Sequence, residues 1–76
     1  MSHICIIEDD AAIAEIERDY LEINGFTVSI ATDGVSGLNL TQKESFDLIL
    51  LDLMLPQLDG FTLCRKLRER LDIPIL

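Results

Sequence analysis

An apolar run that stops at a carboxylate sets the first constraint on this chain: Phe46-Asp47-Leu48-Ile49-Leu50-Leu51-Asp52-Leu53-Met54-Leu55-Pro56. Leu48 to Leu51 offer no polar position. That is the pattern of a strand buried on both faces, as the strands of parallel sheets are. Asp52 ends the run, and Pro56 and Asp59-Gly60 then break the chain. The first strand ends in the same way: His3 to Ile7 is a short β run that leads into Glu8-Asp9-Asp10. Two buried strands that each deliver acid at the carboxyl end do not read as ordinary surface decoration.

The segments between them read as helices and further strands. Asp10 is placed to cap a helix from Ala11 to Asn24. Its Ile13, Ile16, Tyr20 and Ile23 recur at spacings of three and four and predict one apolar face. Gly25 suits the left-handed position just past a helix end. Phe26 to Ala31 alternates Phe26, Val28 and Ile30 with Thr27 and Ser29, which predicts a less buried strand at a sheet edge. Asp33-Gly34 opens a second helix to about Glu44, the weakest element because Gly37, Asn39 and Thr41 are poor helix formers. Asp59 caps a third helix to about Leu71, with Phe61, Cys64, Leu67 or Arg68, and Leu71 at helical spacing. Asp72 to Leu76 begins a fourth strand. Strands that alternate with helices require right-handed crossovers and a parallel sheet, so the predicted class is α/β, and the strand order taken for it is the flavodoxin-like 2-1-3-4. All strands then end on one edge.

Bulk properties narrow the function. Seventy-six residues allow one domain at most, and 14 acidic against 6 basic residues give a net charge of −8. That balance argues against this segment contacting nucleic acid directly and favours a cation or a basic partner surface. No apolar run approaches the ~20 residues of a membrane span. Met1-Ser2-His3 leads straight into a strand, without a signal peptide, so a cytoplasmic location is expected. Cys5 and Cys64 fit no metal spacing and read as buried, reduced thiols. His3 reads as an exposed residue beside the terminus. Arg65, Lys66, Arg68 and Arg70 give the third helix a basic end, which its own dipole explains.

In an open parallel sheet the functional crevice lies beyond the carboxyl ends of the strands, where strand order reverses. For order 2-1-3-4 the reversal falls between the strands that end in Glu8-Asp9 and in Asp52. Three carboxylates converging there need a cation or a raised pKa. Oxygen donors without imidazole or thiolate favour Mg²⁺. A carboxylate beside Mg²⁺ can attack phosphorus and become an aspartyl-phosphate. Asp10 reads as a cap, not a ligand.

These residues, with Ile6-Ile7-Glu8-Asp9-Asp10, Leu50-Leu51-Asp52, Met54-Leu55-Pro56, Asp59-Gly60 and Ile73-Pro74-Ile75 in order, resemble the receiver domain of bacterial two-component response regulators. The resemblance covers the whole chain. It implies that Asp52 accepts a phosphoryl group from a sensor histidine kinase. It also implies that Asp9 binds Mg²⁺ directly, that Glu8 holds metal-bound water, and that the backbone carbonyl of Met54 completes the site. Pro56 and Gly60 match the turn that shapes the following loop. The family's Ser or Thr after strand four and its Lys after strand five have no counterpart, since Lys43 and Lys66 fall on helices. Residues 1–76 are therefore expected to form a partial receiver that lacks the fifth strand, the last two helices and any effector domain. In the full-length protein the resemblance implies DNA-binding transcription regulation. The chain is expected to be a self-catalysed phosphoacceptor, not a turnover enzyme.

Two other readings compete. An aspartyl-phosphate phosphatase would want a second aspartate two positions after Asp52, where Met54 stands. A non-signalling module that self-associates through the open edge of strand four is the third reading.

Overall fold

The computed structural model describes residues 2–51, 60–69 and 72–76, with backbone alone at 60 and 61. Its elements follow in the order β1 (His3–Ile7), α1 (Ala11–Ile23), β2 (Thr27–Ala31), α2 (Gly34–Lys43), β3 (Leu48–Leu51) and α3 (Gly60–Arg68). The three strands are parallel and lie in the order β2-β1-β3, with β2 at an edge. The expected fourth strand is reduced to one parallel bridge, Ile49 to Ile75, on the outer side of β3. Three backbone bonds hold it: Ile49 N–H to Pro74 O at 3.0 Å, Leu76 N–H to Ile49 O at 2.9 Å and Leu51 N–H to Leu76 O at 2.8 Å.

Strand alternation divides the core in two. Cys5, Ile7, Ala31 and Ile49 face α2 and α3, where they meet Phe46, Leu63 and Leu67. Ile4 and Ile6 face α1 and meet Ala14, with Leu21, Val28, Leu48 and Leu50 partly buried around them. Ile4, Ile6, Ile7, Ile49, Leu63 and Leu67 are almost fully enclosed. Each contributes roughly 1.5–3 kcal/mol of burial. β1 is thus central and covered on both sides.

Helix ends follow their local chemistry. The Asp10 side chain accepts from the N–H groups of Ala12 and Ile13, and Asp33 accepts from that of Ser36, satisfying donors that each first turn leaves over. α1 ends one residue before the expected boundary, with Asn24 as its cap and Gly25 at φ +91°, a conformation few side-chain-bearing residues adopt. α2 tolerates Gly37 because it packs tightly on β1: a Cβ there would lie 2.5 Å from Ile7 Cδ1. Thr41, another poor helix former, is buried, and its hydroxyl donates to Leu38 O at 2.8 Å.

Three expectations are corrected. Ile13, Ile16, Tyr20 and Ile23 do not form the packed face of α1; they are 46%, 70%, 69% and 84% exposed. The helix rests instead on Ala14, with Glu17, Arg18 and Leu21 half-buried, a face rotated by roughly 130° from the stripe. The small Ala14 lets the axis lie close to β1 and β2, and no described element covers the stripe. His3 is not a simple exposed residue: both ring nitrogens face oxygen atoms of other segments, and the ring lies 4.4 Å from that of Phe46, tilted by 42°. Cys64 is half-buried, not buried, while Cys5 is fully enclosed as expected. The cap expected from Asp59 lies outside the described residues. The α3 helix ends at Arg68, short of the expected Leu71.

Candidate functional site

Register decides where the acids go. Ile7 pairs with Leu51, and Ile7 also pairs with Ala31, so β1 and β3 finish level at the carboxyl edge. Glu8 and Asp9 follow Ile7 there. Asp52 follows Leu51 in the sequence; Asp52, Met54 and Pro56 lie outside the described residues. Central position and hydrophobic cover on both faces make β1 a rigid mount for the two acids it delivers.

The acidic triplet divides into three environments. The Glu8 N–H donates to Ala31 O at 3.0 Å, extending the β1–β2 ladder one residue past the strand. Its carboxylate accepts from the Asp10 N–H at 3.2 Å and is half-buried. Asp10 is committed to α1, accepting from Ala12 at 3.0 Å and Ile13 at 3.2 Å, as the sequence indicated. Asp9 is exposed between them. Glu8 and Asp9 thus present oxygen donors at the strand end, a donor type that suits a hard cation such as Mg²⁺.

A cavity of about 140 Å³ opens beside these residues, lined by Ile7, Glu8, Glu17, Leu50, Leu51 and Leu76. Glu17 was not singled out by sequence reasoning. The apolar stripe put it on the polar side of α1, and only the rotation of the helix brings it to the sheet edge. Among the described residues no cluster of three or more His, Cys, Asp or Glu side chains is arranged for a metal. No helix among them is long and apolar enough to cross a membrane.

Comparison with known proteins agrees with this arrangement. The model of the response regulator receiver domain matches residues 4–76. The chain is 49% identical over 79 residues to the DNA-binding dual master transcriptional regulator RpaA of Synechocystis, covering 100% of this chain and 33% of that protein. It is 41% identical over 75 residues to the transcriptional regulatory protein CseB of Streptomyces coelicolor, covering 99% and 32%. The chain therefore spans about a third of the length of these relatives. Among solved structures, a two-component response regulator from Clostridium difficile superimposes with a TM-score of 0.96 at 29% identity, covering 99% of this chain and 62% of that one. The response regulator TrrA of Thermotoga maritima, solved in complex with Mg²⁺-BeF, gives 0.93 at 25% identity, covering 99% and 66%. TrrA has also been solved in complex with the histidine kinase ThkA, with the same TM-score, identity and coverage. The flavodoxin-like sheet with order 2-1-3, the level strand ends and the family match over residues 4–76 together place this chain in the response regulator receiver domain family.

Proposed function

We propose that residues 1–76 form the leading part of a receiver domain whose phosphoacceptor is Asp52. The observation that supports this reading most is the pairing of Ile7 with Leu51, after which the sequence continues as Glu8-Asp9 on one strand and as Asp52 on the other. Asp9 is assigned as the direct Mg²⁺ ligand, Glu8 as the acceptor for metal-bound water and Met54 as a backbone-carbonyl ligand. When bound, Mg²⁺ offsets the charge of the phosphoryl oxygens and of the clustered acids. The Asp52 carboxylate attacks phosphorus, and the donor's bond to phosphorus breaks as the aspartyl-phosphate forms. A receiver of this kind accepts one phosphoryl group and is not a turnover enzyme. The donor is a sensor histidine kinase, by analogy with the TrrA–ThkA complex. The output of the longer protein is transcription regulation in the cytoplasm, by analogy with RpaA and CseB.

Incubation with acetyl phosphate and Mg²⁺, followed by intact-mass analysis, tests the assignment. The expected result is one phosphoryl adduct that is lost in Asp52→Asn and in the absence of Mg²⁺. No adduct on a folded chain, or an unchanged adduct in Asp52→Asn, overturns it.

A second reading, self-association, is supported by the outer side of the 74–76 segment. Ile75 pairs with β3 on one side, and Leu76 is 73% exposed. Such an edge can accept a strand of a second copy. A single monomeric boundary in sedimentation velocity at tens of micromolar excludes it.

A further inference from the structure

Large apolar side chains left in water gather on one element. Ile13, Ile16, Tyr20 and Ile23 all belong to α1, whereas Val35 lies on α2 and Leu76 beside β3. At about 100° per residue the four fall within about 80° of the helix circumference and run along about 15 Å of its length. They therefore form one continuous stripe. Taking about 200 Å² for a fully exposed side chain of this size, exposures of 46–84% leave roughly 540 Å² of it in water. That is the upper end of what a monomer ordinarily exposes in one patch, about 300–600 Å². Doubled across a two-fold axis it gives roughly 1,100 Å², just above the ~1,000 Å² that a specific interface needs.

The spacing of the stripe fits such an axis. In an isologous contact, if residue i meets residue j, then j meets i. Ile13 and Ile23 are equidistant from position 18, and so are Ile16 and Tyr20. Two antiparallel copies of α1 centred there set Ile13 on the partner's Ile23 and Ile16 on the partner's Tyr20, apolar against apolar throughout. Arg18 itself is half-buried on the opposite side of the helix, so it does not stand on the axis.

The flanks permit this approach despite a chain charge of −8. Asp19 borders one side of the stripe, and its carboxylate is already 3.3 Å from Arg18 Nη2. Glu17 borders the other side, half-buried in the cavity lining. Glu15 and Glu22 lie further round, about 120° and 140° from the centre of the stripe. Their repulsion across the axis acts through water and is screened by salt.

We propose that the exposed stripe of α1 is the interface of a symmetric dimer, in which a second copy of this chain lays its own α1 antiparallel on Ile13, Ile16, Tyr20 and Ile23. The inference is independent of the phosphoacceptor assignment. It also differs from edge pairing at 74–76, which uses the other end of the sheet order and leaves α1 in water.

Sedimentation velocity and ¹H–¹⁵N correlation spectra of the whole 76-residue chain, from about 10 to about 500 µM at moderate salt, test it. The sedimentation coefficient of the wild type should rise with concentration. The amides of α1 should shift with it, and those of Ile75 and Leu76 should not. Ile16→Glu places a charge at the centre of the stripe, where the side chain is 70% exposed, so the fold should survive, as circular dichroism would show. Its association constant should fall at least tenfold. A wild-type chain that stays monomeric throughout overturns the proposal and leaves the stripe to a partner of different sequence. So does association that persists in folded Ile16→Glu, or shifts confined to 74–76, which assign the contact to the sheet edge. If Ile16→Glu does not fold, the position of the wild-type shifts decides.

Discussion

Gly37→Ala tests how closely α2 must approach the strand that carries the site. In an ordinary exposed helix interior this substitution stabilises by about 1 kcal/mol, because alanine loses less backbone freedom. Here the added Cβ meets Ile7 at 2.5 Å from Cδ1, 3.0 Å from Cγ1 and 3.3 Å from Cγ2. The Cδ1 methyl can swing away about χ2, but Cγ1 and Cγ2 branch directly from Cβ and move only if χ1 rotates or the strand shifts. Ile7 is fully enclosed, so its alternative rotamers meet other core atoms. Overpacking of this kind costs about 1–3 kcal/mol, which outweighs the propensity gain and leaves a net loss of about 1 kcal/mol. Ile7→Val removes Cδ1, the atom of closest approach. Alone it should cost about 1 kcal/mol. In the Gly37→Ala background it should cost almost nothing, a coupling of about 1 kcal/mol between touching residues. Urea unfolding followed by far-ultraviolet circular dichroism gives all four values, provided the slopes agree. A Gly37→Ala chain as stable as wild type, or strict additivity with Ile7→Val, refutes the account of α2 packing.

Other substitutions probe the remaining contacts. Asp10→Ala removes the acceptor for Ala12 and Ile13 and should cost about 1 kcal/mol in the same unfolding assay, leaving the acids before it in place. Asp9→Asn should weaken Mg²⁺ binding at least tenfold in a calorimetric titration while the unfolding midpoint stays near wild type, because Asp9 is exposed and Asp10, not Asp9, caps α1. Burial, then the Glu44 charge, raises the Cys5 thiol from the ordinary 9.0 to about 12. Iodoacetamide at pH 8 should therefore modify half-buried Cys64 before Cys5 in the folded chain, as peptide mapping would show. Between pH 9 and 12 the folded state retains a proton that the unfolded state releases, so the midpoint should fall with rising pH, and less steeply in Cys5→Ala. Ile16→Lys on the exposed stripe should leave the midpoint within about 0.5 kcal/mol of wild type. Ala14→Leu on the buried face should lower it by about 2 kcal/mol.

The sequence made the strands legible because each carries its own signature. Leu48 to Leu51 are uniformly apolar and fall on β3, beside the central strand; Thr27 and Ser29 interrupt β2, which lies at the edge. The place of Glu8 and Asp9 just past β1 was legible because they end a run that otherwise avoids charge. Asp10 was separable from Glu8 and Asp9 because a cap position follows from the helix start alone. His3 was not legible, because its partners are 26, 41 and 42 residues away and none is marked by spacing. Gly37 was read as a weakness of α2, whereas its cause is an approach distance that no local pattern carries.

The α1 helix shows where periodicity stops being informative. A repeat of three and four establishes that one side of a helix is apolar, but not which side meets the sheet. Two faces of α1 compete: a large one, Ile13, Ile16, Tyr20 and Ile23, and a small one around Ala14 and Leu21. The sheet beneath is β1 and β2, and close approach favours the face with the smallest side chain at its centre, so Ala14 is enclosed and the isoleucines stand out. The same rotation brings Glu17 into the lining of the cavity that Glu8 also lines. One residue size, at position 14, thereby settles both which apolar surface stays uncovered and which acid is added to the edge where Glu8 and Asp9 already lie.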